Sequence, residues 1–421
     1  MITLIETLNY RSLRYVRQPL NNFHVLVGPN ASGKTTFLSV ISFLSQLASS
    51  GLDAALEEPG KSFDDLVWKR KGNRFELAIE AKIPQDIAAQ LSKNGNSYDL
   101  IRYEVAIGRE KNSSPIEILE ERILLKVSKN FEPVQRDMFP LMPEMASSII
   151  TPKGTKNILT VINKVRDGND YFRTEYYQKG NKGWQYAFKL GPQRSSLGNL
   201  PADESQFPAT TWLKNILTEG VQPFVLNSLL IRRASSSGQM RGFKPDGSNL
   251  PWVVEDLFIR DRARFKDWIS HIQSALPEIE SIRTVEREDD RSRYLMIKYK
   301  GGLEVPSWAV SDGTLRLLAL TLPAYLTDLR GIYLIEEPEN GIHPKAVETI
   351  FQSLSSVYDA QILLATHSPV ILGISKIEDV LCFAKTAEGE TDIVRGDHHP
   401  ALAKWMGETN LGVLFAAGIL G

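Results

Sequence analysis

The stretch Asn22 to Phe37, NFHVLVGPNASGKTTF, constrains this chain more than any other. Phe23 to Val27 is an apolar run of strand character. Gly28 to Gly33 is a loop with two glycines and no bulk, and Lys34, Thr35 and Thr36 open a helical pattern continued by Phe37, Leu38, Ile41 and Leu44. Gly28, Pro29, Asn30, Ala31, Ser32, Gly33, Lys34 and Thr35 meet every fixed position of G-x-x-x-x-G-K-[ST], and Thr36 follows directly. Backbone N–H groups of such a loop point inward and, with the positive end of the following helix, form a pocket for phosphate oxygens. Lys34 adds a cation that reaches the β and γ phosphates in such a pocket, and the Thr35 hydroxyl can ligate Mg²⁺.

With 421 residues, 42% of them hydrophobic, the chain can bury a large core in two or three substructures. Its formal net charge of -1 rules out a polycation, so a nucleic-acid surface has to be a local patch. Cys382 is the only cysteine, which excludes an internal disulfide and a cysteine-rich metal site. The N-terminus lacks a secretory pattern, and no run of about 18 apolar residues occurs. These features lead to the expectation of a cytoplasmic protein with no membrane partner.

Along the chain, 75–81, 98–107 and 118–127 alternate as antiparallel strands with one wet face. From 129 to 250 the texture changes to prolines, serines and short aromatic segments, with 16 basic against 10 acidic residues, and reads as an insertion. Helical pieces are expected in 157–162 and 211–230. Arg232, Arg233, Arg241 and Lys244 form its densest basic group, which reads either as a flexible contact to nucleic-acid phosphates or, more simply, as a solvated loop or a surface meeting an acidic partner. The aromatic residues between Tyr171 and Phe188 can stack bases, although the period-2 spacing from Trp184 to Phe188 favours the packed face of a strand. Helical periodicity resumes over 252–276, and a charged turn joins strands at 282–285 and 294–299. His398 and His399 read as a solvated turn, and Cys382 as a buried small hydrophobe.

Three later segments carry chemistry. Ser311, Asp312 and Gly313 precede an apolar helix: serine can cap it, and Gly313 lets a ligand approach its N–H groups. Ile332 to Ile335 is a strand interior that ends in Glu336 and Glu337. Neighbouring carboxylates at a strand tip point in different directions, so Glu336 can hold Mg²⁺ while Glu337 polarises an attacking water. Gln361 to Pro369 repeats the design with His367 at its tip, where an imidazole can meet a γ phosphate.

The set GPNASGKTT, VSDGTLRLLAL, IYLIEEPENGIHP and ATHSP resembles the ATP-binding-cassette ATPases of the SMC and RecF type. Within them it looks most like stand-alone ATPases related to overcoming-lysogenization-defect proteins and to ATPase subunits of bacterial antiphage systems. The resemblance implies an α/β fold: a split ATP-binding-cassette domain with mixed sheets and an inserted helical or mixed subdomain. The expected division is 1–128 and 261–421 for the ATPase domain and 129–260 for the insertion. It also implies a homodimer or higher oligomer with ATP between protomers, in which Ser311 and Gly313 face the phosphates held by the opposing copy. Lys34, Glu337 and His367 would be catalytic, with Thr35 and Glu336 at Mg²⁺, and Gln135 is a candidate, not an assignment, for the glutamine loop of the family. Glu336 stands where the family commonly has Asp, and Val-Ser-Asp-Gly where Leu-Ser-Gly-Gly is commoner. The expected function is a Mg-dependent ATP hydrolase whose nucleotide-driven dimer senses a trigger and controls a separate effector such as a nuclease or toxin in antiphage defence. A DNA-repair or DNA-maintenance ATPase and an ATP-gated scaffold with little turnover are the alternatives.

Overall fold

Alternating Val, Ile, Leu and Tyr residues build the largest sheet of the computed structural model, which describes all residues except 58–61, 93–97, 112–113, 129–134, 143, 177–185, 240–241, 328, 404–410, 417 and 419–421. The strands of the first half are β1 (Ile2–Tyr10), β2 (Leu13–Pro19), β3 (Phe23–Val27), β4 (Arg74–Lys82), β5 (Leu100–Gly108), β6 (Glu117–Lys126), β7 (Ile158–Val165), β8 (Asp170–Phe172) and β9 (Tyr186–Phe188). All but β3 form one eight-stranded antiparallel sheet in the order β2-β1-β4-β5-β6-β7-β8-β9. Its register aligns Ile5, Ile79, Tyr103, Ile123 and Ile162 across five strands, and each is fully buried. A row of that kind sets the register, because a one-residue slip would turn every member to the opposite face.

The expectation of a wet face on this sheet is not met. Glu76, Glu80, Arg102 and Glu104 lie on the opposite face from that row, yet all are buried, because the segment 146–151 crosses over them. Arg102 donates to Glu104 (2.6 Å) and Glu80 (3.1 Å), pairs with Glu6 (2.8 Å) and donates to the Ile149 carbonyl (3.0 Å). Thr151 N and Ile149 N donate to Glu104 and Glu76. The charges are tolerated because each carboxylate meets a cation or an amide. Burial alone would raise the Glu80 carboxyl, but Lys126 and Arg102 beside it hold it below its ordinary value.

The expected helical piece at 157–162 is strand β7, whose edges are taken by β6 and β8. Tyr186 and Phe188 do form a strand at the end of the sheet, where each is partly exposed while the Phe188 ring stacks on buried Phe172 (4.9 Å) and the Tyr186 ring lies 6.1 Å from that of buried Phe207; Tyr177 and Trp184 lie outside the described residues. Helical turns do occur at Pro208–Asn215 and Ser228–Arg232.

The chain divides into two units, Met1–Val221 with Ile377–Met406, and Gln222–Lys376 with Gly407–Ile419. The later strands are β10 (Val221–Phe224), β11 (Ile279–Glu286), β12 (Arg293–Tyr299), β13 (Glu304–Pro306), β14 (Gly331–Glu336), β15 (Ala360–Ala365), β16 (Val380–Lys385) and β17 (Thr391–Arg395). In the first unit β16 pairs in parallel with β3 and antiparallel with β17. Helix Lys34–Ser50 buries Phe37, Val40, Ile41, Phe43, Leu44 and Leu47. The Phe75 ring sits 5.2 Å from Tyr10 and 5.6 Å from Phe43, which locks that helix to the large sheet. Cys382 is fully buried and burial pushes its thiol up to about 12, so it is a packing residue.

In the second unit β11, β12 and β13 form an antiparallel meander, while β14 and β15 run parallel with Leu334 beside Leu363 and Glu336 beside Ala365. The two parallel strands therefore end at the same edge, the place where α/β sheets put their chemistry. The single helical pattern at 252–276 is two helices, Leu250–Arg260 and Arg262–Ala275. Asp261 interrupts them and caps the second by accepting from Arg264 N (3.0 Å). No helix among the described residues is long and apolar enough to cross a membrane.

Candidate nucleotide site

Buried Val25, Leu26 and Val27 carry the first unit's chain to Gly28, and the helix begins at Lys34. Gly28 (φ 153°) and Gly33 (φ 110°) are required twice over. Their backbone is left-handed, and a Cβ would lie 2.2 Å from the Phe383 carbonyl at Gly28 and 2.4 Å from Thr391 Oγ1 at Gly33. Thr391 Oγ1 also donates to the Ser32 carbonyl (2.8 Å), so β17 holds the loop from behind. Lys34 is buried, and its ammonium donates to the carbonyls of Gly28 (2.8 Å) and Pro29 (3.0 Å). Ser32 Oγ is buried with no hydrogen-bond partner among the described residues. A buried hydroxyl without a partner beside converging amides fits a phosphate oxygen. Pro29, Asn30, Ala31 and Thr35 are exposed, and Thr36 is half-buried.

The second unit assembles the other motifs. Ile332 to Ile335 are buried, whereas Glu336 and Glu337 emerge exposed at the end of β14. Glu337 has φ 47°, an uncommon conformation for a residue with a side chain, and is held there by donating its N–H to the Ala365 carbonyl (2.8 Å). Asn340 donates to it twice, from its backbone N–H to the carbonyl (3.0 Å) and from its side-chain amide to Oε2. Glu339 accepts from the Thr366 hydroxyl (2.7 Å) and from His367 N–H (2.8 Å), while its Oε2 is buried with no partner among the described residues. Sequence reasoning missed Glu339. Its signal was a third carboxylate two residues past the pair, with no local clue to its partners. His367 follows β15, its ring 6.4 Å from that of Phe415.

Ser311 caps helix Asp312–Thr321 by accepting from Thr314 N (3.2 Å), as its sequence position suggests. Gly313 lies so close to the following turn that a Cβ would sit 2.8 Å from the Gly341 carbonyl. One unit thus brings together Ser311 to Gly313, Glu336 to Gly341, and Thr366 with His367. Gly28 to Thr36 cluster in the other.

The remaining candidates resolve differently. Arg232 is no flexible loop cation: it ends a helix and donates to Asp312. Lys244 donates to Gln239, Arg233 is exposed, and Arg241 lies outside the described residues. Gln135 donates to the His398 carbonyl (3.3 Å). The pair His398-His399 is not a solvated turn, since His399 is buried against the Phe139 ring at 4.9 Å, and burial lowers its pKa.

One solved structure supports the fold. The chain is similar to an SMC head bound to the C-winged helix domain of ScpA, with 14% identity, a TM-score of 0.53, and coverage of 93% of this chain and 97% of that one. A Pyrococcus furiosus Smc head with an extended coiled coil, bound to the C-terminal domain of ScpA, aligns more loosely at 13% identity and TM-score 0.46, over 93% of this chain and 95% of that one. The Thermotoga maritima SMC head domain does so at 10% and 0.40, over 94% and 98%. No curated protein matches the chain in sequence. The family model described as "AAA domain, putative AbiEii toxin, Type IV TA system" matches residues 23–373, and the chain belongs to that family of ATP-binding domains.

Proposed function

We propose that two copies of this chain close on ATP and hydrolyse it, and that the closed pair controls a separate effector in antiphage defence. The observation that supports the hydrolytic part of this reading is the second unit's clustering of Ser311 to Gly313, the Glu336–Glu337 pair and His367 around one turn, and the two-copy part rests on the resemblance of these motifs to ATP-binding-cassette ATPases. A phosphate loop needs such groups and does not itself contain them. Lys34 leaves its two carbonyls for the β and γ phosphates, and Ser32 Oγ gains a partner. Thr35 and Glu336 would hold Mg²⁺, which when bound supplies charge neutralisation at the phosphate oxygens. Glu337, turned outward by its positive φ and steadied by Asn340, takes the proton of the water that attacks the γ phosphorus. His367, fixed through its backbone by Glu339, offers its ring to the transferred phosphoryl group. Ser311 and the amides near Gly313 meet the nucleotide of the opposing copy.

The test is Glu337→Gln in the purified protein. ATP binding should persist while phosphate release falls by about a hundredfold or more. Turnover like that of the parent would remove Glu337 from the role of base. Because the variant should stay closed on ATP, proteins retained on it with ATP and released with ADP identify the effector. Recovery of no nuclease or toxin-like protein would count against the defence reading.

A further inference from the structure

The first residue of helix Asp312–Thr321 is a carboxylate. A helix N-terminus attracts anions, and the N–H groups of its first turn lie ahead of the first intrahelical hydrogen bond. Asp312, exposed at that end, opposes any phosphate that approaches them. Arg232 answers this charge. Its Nε and Nη2 donate to Asp312 Oδ1 at 2.9 and 2.7 Å, and its Nη1 donates to the Trp308 carbonyl at 3.0 Å. Its own carbonyl accepts from Ser307 Oγ at 3.0 Å. The side chain is delivered by helix Ser228–Arg232, whose first turn Asn227 caps by accepting from Leu229 N (3.0 Å) and Leu230 N (3.3 Å). The cation is therefore fixed to both the residues that lead into the turn and the turn's own acid.

We propose that Arg232 is a positioning residue for the nucleotide of a second copy. It neutralises Asp312 and draws the carboxylate aside, so that Ser311 Oγ and the amides of Asp312 and Gly313 can meet the γ phosphate of a nucleoside triphosphate. The Arg232–Asp312 pair does by compensation what an uncharged residue at position 312 would do by having no charge. This rests on the two-copy reading above.

The experiment is a double-mutant cycle in the Glu337→Gln protein, reading mass by light scattering against protein concentration with MgATP. Arg232→Ala should raise the concentration needed for half-assembly by about tenfold, as a lost charge-assisted contact does. Asp312→Asn should change assembly by no more than about twofold, and Arg232→Ala with Asp312→Asn should return it to within about twofold of the parent, a departure from additivity that measures the coupling of two residues in contact. Rescue by Asp312→Asn separates charge compensation from a merely structural role. Arg232→Gln, which keeps the side chain's bulk, and fluorescent ATP binding at the phosphate loop guard against a folding defect. If the parent stays monomeric with MgATP, the two-copy reading falls and this proposal with it. If the parent assembles but Arg232→Ala and Arg232→Gln assemble equally well, or stay weak when residue 312 is neutral, the pair's role alone is overturned.

Discussion

His24, one residue into the strand that leads to the phosphate loop, is held as a neutral base. Its Nε2 accepts from Asn21 N–H (2.7 Å), so the proton sits on Nδ1 and is donated to the Asp379 carbonyl (3.1 Å). Burial pushes its pKa down from 6.5 to about 4; the bond to Asp379 pulls the other way, and the charge of Arg395 lowers it further. As pH falls below the unfolded value, the unfolded chain takes up a proton that the folded chain refuses until the depressed value is reached. Stability is thus complete above pH 6.5 and is lost as pH falls toward about 4, by on the order of 3 kcal/mol in all. Thermal melts from pH 7.5 to 4.5 should show the loss, and His24→Gln should flatten it; an unchanged slope in that variant would assign the loss to other groups. The residues that sequence exposes most clearly are those whose partners are local. Gly28, Gly33 and Lys34 are legible because loop geometry is set within seven positions. Glu339 and Arg232 are not, because their partners stand 27 and 80 residues away.

At the level of elements, period-2 alternation located β4, β5 and β6 but misjudged what faces their polar side. Glu76, Glu80 and Glu104 read as solvent-facing, since nothing in an alternating strand announces a cover arriving from residues 146–151. The same gap explains 157–162: β7 is a strand because β6 and β8 pair with it, a tertiary effect that overrides weak local preference. The buried cluster carries a measurable consequence. Arg102 is the cation shared by Glu6, Glu80 and Glu104, and without it Lys126 on Glu80 (2.7 Å) and the more distant Arg17 on Glu6 (3.8 Å) remain among the contacts described, while Glu104 keeps no cation among them. Arg102→Met should lower stability by about 3–5 kcal/mol, the usual result of removing one side of a buried ion pair. Urea melts check this, and the deficit should shrink as the pH is lowered and the stranded carboxylates take up protons. A loss below about 1 kcal/mol would show that backbone amides and Lys126 satisfy the acids unaided.

For the whole molecule, the candidate residues fall into two units. The first holds Gly28 to Thr36, and the second holds Ser311 to Gly313, Glu336, Glu337 and His367. If ATP is bound between copies, each of the two sites in a dimer takes its phosphate loop from one chain and its Ser311–Gly313 turn from the other. Lys34→Ala then inactivates the site built on its own loop, while Ser311→Arg inactivates the site built on the partner's loop. Either variant alone forms dimers in which both sites are dead. Mixed, they form heterodimers in which one site carries both lesions and the other carries neither. With random pairing half of the dimers are mixed, each with one intact site of two, so an equimolar mixture should recover about a quarter of the parent's turnover. Activity should climb with total protein, because the intact site exists only after association. A site completed within one chain predicts the opposite: the mixture stays as inactive as its components at every concentration, and the reading of Ser311 and Gly313 as groups acting on a partner's nucleotide is lost.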